Sequence, residues 1–439
     1  MGLLDRFKRK EEPAKRRFKR TYAAAGTSRL LADFTSSERS PDSELRPAIK
    51  LMRSRARELT RNNEYAKRYV NLMRDNVVGD RGFTLQVKAR SANGLDTDGN
   101  QRIENAWRAW GRVGRCTVDG KMSWIDAQAL AMESLARDGE AFIIVHRGSS
   151  FHDSVALEFI EPDQVDEQKN ERLSDGREIR MGVEIDKFRR PVAYHLLTYH
   201  PGDYDYTTSG RTPKHIRIPA ERMIHLYQPL RAGQTRGEPW MAPVTTALKQ
   251  LGGFREAAVI NARVGASKMG IITTPGGDGF VGDDVDEDNA PIMDASPGTF
   301  QQLATGQDFK EFNPQYPNGE FDSFNKSLLK GIASGLGVSY TSLSNDLEAT
   351  SYSSIRQGAL EERDHYRNLQ TFFMQHFVMQ VYERWLSAAM EINAFGIPVR
   401  QYDRLASSAC RTLPASMAKM WRSCLRRFSA TRCSWSSSV

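Results

Sequence analysis

The chain has 439 residues, 39% of them hydrophobic, with 62 Lys/Arg against 54 Asp/Glu. That length supports two to four structural units with a substantial core, and no apolar run is long enough to cross a bilayer. The net charge of +8 sits at the ends: residues 1–20 sum to +6 and residues 401–439 to +6, leaving −4 for the 380 residues between them. A protein that grips DNA by neutralising phosphates is expected to be basic in its body, so the composition argues against that class.

MGLLDRFKRK turns basic before an apolar region develops, so no signal peptide is expected, and Arg6 stands where a myristoylation motif wants Ser or Thr. Of the four cysteines only Cys116 precedes residue 400. The body therefore has no disulfide framework and no thiolate metal site, as in a reducing cytosol.

Residues 1–45 read as a basic mobile arm, because KRKEEPAKRRFKR has no sustained apolar face. From Arg46 the pattern is helical, with Leu51, Leu59, Ala66, Val70 and Met73 on one face and Gly79 as a stop. GFTLQVKA alternates like a strand, and ANGLDTDGN leads to a helix carrying Trp107 and Trp110, three apart and expected in the core. MSWIDAQALAMESLARDGE reads as a helix stopped by Gly139, followed by the buried strand AFIIVHRG. Short alternating runs broken by Gly, Pro and Asp fill residues 155–230 and predict a small sheet domain. His195, His200, His215 and His225 lie there without compact metal spacing or a nearby cysteine, so no metal site is expected.

PVTTALKQLGGFREAAVINARVGASKM predicts a helix in spite of Gly252 and Gly253, and GIITTP a strand. Seven acidic residues follow between Asp278 and Asp294. Asp284, Asp286 and Asp288 imitate the start of a calcium loop, but Asn289 stands where that loop needs glycine and Ala295 where it needs glutamate, which leaves a solvated acidic loop. From Ser323, residues Phe324, Leu328, Leu329, Ile332, Ala333 and Leu336 share a helical face ended by Gly335 and Gly337. A polar stretch, Ser344 to Ser351, precedes a second pattern marked by Tyr366, Leu369, Phe373, Phe377, Val381 and Trp385. One helix from Ser354 to Ile392 would be roughly 60 Å long, far beyond the usual three or four turns. Such an arrangement forms a spoke more naturally than a catalytic pocket. The chain contains no G-x-x-x-x-G-K-[ST] phosphate loop, no G-x-S-x-G and no H-E-x-x-H.

LLKGIASGLGVSYTSLSNDLEATSYSSIRQGALEERDHYRNLQ resembles the lambda-type phage portal proteins, in which an IAxGLGVxYxxLxxD segment leads into YSSxR at this spacing. RNNEYAKRYVNLMRDNVVGDRGF, the W-x-x-W pair, DGEAFIIV, His200–Pro201, IPAERMIHLY, RAGQTRGEPWMAPV and VYERWLSAAM resemble the same family in order. The resemblance runs over about residues 50–400 and implies an α+β portal subunit without enzymatic activity or cofactor. It implies a mixed wing at 46–241, a first stem helix at 242–268, a clip at 269–322, a second stem helix at 323–343, a tunnel loop at 344–353 and a long helix at 354–395. Asn345, Asp346, Leu347, Glu348, Ala349, Thr350 and Ser351 would then line the DNA channel.

The implied partners are other copies of the chain in a ring of about twelve, the terminase large subunit, major capsid and head-completion proteins, and double-stranded DNA, with no membrane. Asp283, Asp284, Asp286 and Asp288 in the clip would meet a basic terminase surface. The place would be the virion portal vertex, and the host cytoplasm during assembly. Two other classes remain on the residues alone: a DNA-processing enzyme with metal on its carboxylates, and an adaptor that binds DNA with its basic arm.

Residues 396–439 depart from the family. From Gln401 the chain holds nine serines, three cysteines, two tryptophans and Asp403 as its only acidic residue. The resemblance implies crown helices at this place; the expectation is a frame change near residue 400 that replaces them, and the alternative is a divergent, disordered tail.

Overall fold

The computed structural model describes residues 38–91, 94–203, 214–266, 270–273, 284–285, 291–292, 308–311, 321–347, 352–395 and 409–412. The described architecture belongs to the unit Pro41–Val439. It opens with a short helix α1 (Pro41–Leu45), inside the segment expected to be a mobile arm. Asp42 and Leu45 of α1 are buried: Asp42 accepts from the Thr235 N–H at 2.8 Å and its hydroxyl at 2.7 Å, and Leu45 packs with Ile49 and Met181. Residues 41–45 therefore belong to the folded body and not to the expected arm, because Asp42 and Leu45 have core partners that composition could not reveal; residues 1–37 lie outside the described residues.

The helical run after Arg46 is two helices, α2 (Ile49–Asn62) and α3 (Glu64–Met73), the second continued by a π turn at Arg74–Val78. Asn63 causes the break. Its backbone is extended, and its side chain caps α3 by accepting from the N–H groups of Tyr65 and Ala66. Strands β1 (Thr84–Val87), β2 (Arg90–Ser91) and β3 (Gly94–Leu95) precede helices α4 (Thr97–Trp110) and α5 (Trp124–Asp138). Ser123 and Asp126 form a reciprocal capping box at the start of α5, and Gly139 closes it at φ 84°.

Strand β4 (Glu140–Arg147) is the centre of a three-stranded antiparallel sheet, between β5 (Val155–Ile160) and β11 (Met223–Tyr227). The five strands β6 (Glu171–Arg172), β7 (Glu178–Arg180), β8 (Val183–Ile185), β9 (Pro191–Leu197) and β10 (His215–Pro219) form a second antiparallel sheet in the order β10-β9-β8-β7-β6. Alternation along β4 joins two cores. Ala141, Ile143 and Val145 face the main helical core, whereas Phe142 and Ile144 pack with Val183, Ile185, Tyr194 and Leu196 of the second sheet. This double burial explains why AFIIV reads as a continuous apolar run.

A 3-10 turn at Ala242–Val244 leads into α6 (Thr245–Ala266), close to the expected first stem helix. Two small pairs follow: β12 (Gly270–Thr273) with β15 (Asp308–Glu311), and β13 (Asp284–Val285) with β14 (Pro291–Ile292). Next come α7 (Phe321–Leu336), α8 (Tyr340–Ser344), and a helix running without a break from Tyr352 to Glu391, as α9 (Tyr352–Phe373), a π turn (Met374–Val378) and α10 (Met379–Glu391). Within the expected tail, β16 (Ala409–Thr412) pairs with β1 in antiparallel register.

Trp107 and Trp110 are core residues as the spacing predicts. They stack at 4.8 Å, Trp385 of α10 meets Trp107 edge-on at 4.9 Å, and the Trp110 indole N–H donates to the Val155 carbonyl at 2.9 Å. Helices and antiparallel sheets thus occupy largely separate stretches, an α+β arrangement.

Candidate functional site: the turn between two helices, and a buried polar hub

The stretch from Phe321 to Tyr352 reverses the chain between α7 and α9. Gly337, at φ 69°, ends α7 with the paired bonds of a Schellman motif, Val338 N–H to Ala333 O at 3.1 Å and Gly337 N–H to Ser334 O at 3.2 Å. Gly335, read from sequence as a second terminator, lies inside the helix, where a Cβ would meet Val244 Cγ1 at 2.5 Å. It is small so that α7 can approach the turn before α6. The helix expected over 323–343 is accordingly α7 followed by the separate α8, which Ser339 caps by accepting from the Ser342 N–H at 3.1 Å.

Glu362 of α9 ties the turn together. Its carboxylate accepts from the hydroxyls of Ser339 at 2.9 Å, Ser342 at 2.7 Å and Tyr366 at 2.8 Å. Asn345 takes the left-handed backbone at φ 58°, which asparagine tolerates well, and closes α8. The Asp346 carboxylate accepts from the Tyr340 hydroxyl at 2.8 Å and lies 3.6 Å from Lys326 Nζ, so it is held back against α7. Leu347 is exposed. Glu348, Ala349, Thr350 and Ser351 lie outside the described residues, as do Asp283, Asp286 and Asp288, while Asp284 is placed by its backbone in β13.

Apart from this turn, a polar hub that sequence reasoning missed joins the two sheets. Arg236 is fully buried and donates to both carboxylate oxygens of the equally buried Glu140, at 2.7–3.0 Å. Its remaining donors reach the carbonyls of Met181 at 2.7 Å, Pro162 at 3.0 Å and Val165 at 3.1 Å. Glu140 also accepts from the Gly237 N–H and pairs with His225 Nε2, both at 3.0 Å. Gly139 and Gly237 let the two segments touch here: a Cβ on Gly139 would collide with the Glu238 carbonyl, and one on Gly237 with the Gly139 carbonyl. The available signal was a glutamate opening an apolar strand, in DGEAFIIV, since a charge there requires a partner.

The family described as phage portal protein, lambda family, matches residues 27–370 of the chain. The chain belongs to the lambda family of phage portal proteins. A portal-protein relative from Halomonas phage phiHAP-1 is 34% identical over 396 residues, covering 88% of this chain and 76% of the relative. Portal protein B of Escherichia phage lambda is 23% identical over 407 residues, covering 84% and 74%. Among solved structures, a chain of the native gene transfer agent virion is similar at 13% identity and a TM-score of 0.45, covering 93% of this chain and 95% of that one. As a portal protein the chain is a structural component of the virion and not an enzyme.

In this portal protein the four histidines weighed as metal ligands do not converge. His195 faces Glu184 at 3.3 Å, His200 Glu161 at 2.9 Å, His215 Asp166 at 2.8 Å and His225 Glu140 at 3.0 Å, so each holds a different carboxylate. Among the described residues one trio, Glu161, Asp163 and His200, could offer three ligand atoms to a metal. The Arg57 guanidinium already pairs with Asp163 and lies 3.7 Å from Glu161, so a fixed cation of the protein occupies their neighbourhood.

The hub gives the portal protein an acid-sensitive core. Burial pushes the His225 pKa below its ordinary value, against the opposing pull of Glu140. Burial also opposes the charge on Glu140, but Arg236 and the His225 hydrogen bond prevail and hold its carboxyl well below the usual carboxylate range. Both native-state pKa values are depressed, so the unfolded chain takes up these protons first. The His225 contribution is complete above about pH 6.5 and declines as pH falls below it, and that of Glu140 declines only below about pH 4.3. Urea midpoints measured from pH 8 to pH 5 should fall below about pH 6.5, and less steeply in His225→Gln. An identical pH profile in the variant would remove His225 as a source.

Proposed function

We propose that this portal subunit assembles with copies of itself into a ring of about twelve around a bore that passes double-stranded DNA during packaging and ejection. In this reading residues 46–241 form the wing, α6 and α7 the stem, and residues 269–322 the clip on which the terminase large subunit docks. The turn at 344–353 faces the bore. The subunit spends no ATP; it supplies a channel and a symmetric platform at the capsid vertex, where capsid and head-completion proteins meet it after assembly in the host cytoplasm. The clip carboxylates Asp283, Asp284, Asp286 and Asp288 would speed encounter with a basic terminase surface. Because Asp346 is engaged by Tyr340 and Lys326, repulsion of DNA by the turn rests on Glu348.

The observation that carries the ring reading is the surface of the two helices assigned to the stem. Val259 and Ile260 of α6 and Phe324 of α7 are each about half exposed in the single chain. From Ala257 to Ala262, α6 offers no charged residue at all. A helix apolar on its outer side is a helix that something covers, and a neighbouring copy presenting the same helices fits that need with a contact that repeats around a closed ring.

Electron microscopy of the purified protein tests this. Rings with a central hole are expected from the native sequence, and compact monomers from Val259→Glu/Ile260→Glu with unchanged circular dichroism. Intact rings from the double variant would show that this face is not the subunit contact, and monomers from the native chain would overturn the ring itself.

A further inference from the structure

The hairpin between β8 and β9 ends in the exposed sequence Lys187-Phe188-Arg189-Arg190. The turn is firmly built. The Asp186 carboxylate accepts from the backbone N–H groups of Phe188 and Arg190, both at 2.8 Å, and the Asp186 N–H donates to the Arg190 carbonyl at 3.0 Å. Asp186 keeps its charge while its carboxylate is engaged by the turn, so the loop carries three cations against one carboxylate, a net +2, on a body that is otherwise mildly acidic.

Two features separate this tip from an ordinary solvated turn. Arg189 sits at φ 62°, the left-handed position that such turns normally give to glycine or asparagine, so an arginine is kept at a strained position. Its guanidinium lies against Gly233, where a Cβ could not be accommodated. Phe188 is two-thirds exposed, yet it is no free apolar anchor: Lys187 Nζ stands 5.0 Å and the Arg190 guanidinium 5.7 Å from its ring centroid. The ring acts as a spacer that fixes two cations. The nearby Arg231 is neutralised by Glu44 and adds no net charge.

We propose that this hairpin tip, separate in the chain from the turn at 344–353, is a contact site for the phosphate backbone of double-stranded DNA. The chemistry chooses between polyanions. Burying Phe188 in the apolar cleft of an acidic protein would strip water from both cations attached to it, which is costly. A phosphate backbone leaves them at the wet surface and offers a charge for each, without base-specific contacts.

The test uses the full-length protein and a fluorescent 30-base-pair duplex of mixed sequence, with anisotropy read between 50 and 200 mM salt. The variant Lys187→Gln/Arg189→Gly/Arg190→Gln removes all three charges, and Arg189→Gly relieves the turn, so its melting temperature should not fall. The expected result is weaker duplex binding with the log–log salt slope reduced by roughly 2 to 3, since each lost phosphate contact removes about 0.9. Lys187→Gln alone, which leaves the turn untouched, should reduce the slope by about 1. Poly-glutamate of matched charge is the competing probe. Duplex affinity and slope unchanged in the triple variant would overturn the proposal, and if poly-glutamate binding were lost at the same time the tip would belong to an acidic protein.

Discussion

Arg236→Ala should destabilise the protein by about 3–5 kcal/mol, the range for removing one partner of a buried ion pair. The substitution leaves Glu140 charged in a fully buried place and strands the carbonyls of Pro162, Val165 and Met181. These acceptors come from the loop after β5 and the turn between β7 and β8, so one side chain joins the two sheets. Arg236→Lys should recover little, because an ammonium cannot span five acceptors in fixed planar directions. Urea unfolding measures the loss. The decisive comparison is with Glu140→Gln: combined with Arg236→Ala, it should cost much less than the two single losses added, since both remove one network. Strict additivity would mean that the two residues act independently and that the hub is not a unit.

The second large effect is expected at Trp110. This side chain is fully buried, stacks on Trp107, lies near Trp124 and Trp385, and donates its indole N–H to Val155. Trp110→Ala empties a large volume at the junction of α4, α5, α10 and β5, where several elements would have to move together to refill it. The expected cost is about 3–5 kcal/mol. Trp110→Phe should cost less while leaving the Val155 carbonyl without its donor, a loss of about 1–3 kcal/mol. Loss of the same magnitude in both variants would assign the effect to the hydrogen bond, and a loss below about 1 kcal/mol in Trp110→Ala would remove this cluster from the core.

Much of the helical layout was legible because periodic apolar residues report directly on which side of a helix is covered. The Phe373, Phe377, Val381 and Trp385 series announced the long helix, and the structure runs it unbroken from Tyr352 to Glu391 with one π turn. The two glycines at 335 and 337 looked alike in sequence. Their roles differ because a Cβ on Gly335 would collide with Val244, 91 positions away, whereas Gly337 takes the left-handed backbone that closes its own helix and leaves room for ordinary contact with His365. The buried end of the supposed arm was illegible for the same reason, since Asp42 finds its partner at Thr235. In the candidate turn, the sequence displayed an acidic, polar segment with Asp346 in it, and only the folded chain placed Tyr340 and Lys326 beside that carboxylate.

What the sequence by itself determined was local or collective: the acidic body between basic ends, the continuous apolar run of AFIIV, the glycine stops at Gly79, Gly139 and Gly337, and a run of family-like segments long enough to place the chain among portal proteins. These features depend on neighbours within a few residues or on sums over many, and both survive without knowledge of the fold. The tertiary structure decided which charges are spent. Glu140 and Arg236, Arg57 and Asp163, and each histidine with its own carboxylate lie from 11 to 106 positions apart. Whether a charged side chain is a solvated surface group, a buried strut or an open binding group depends on what the fold brings within about 4 Å of it, because the attraction between charges is strong only where water is excluded.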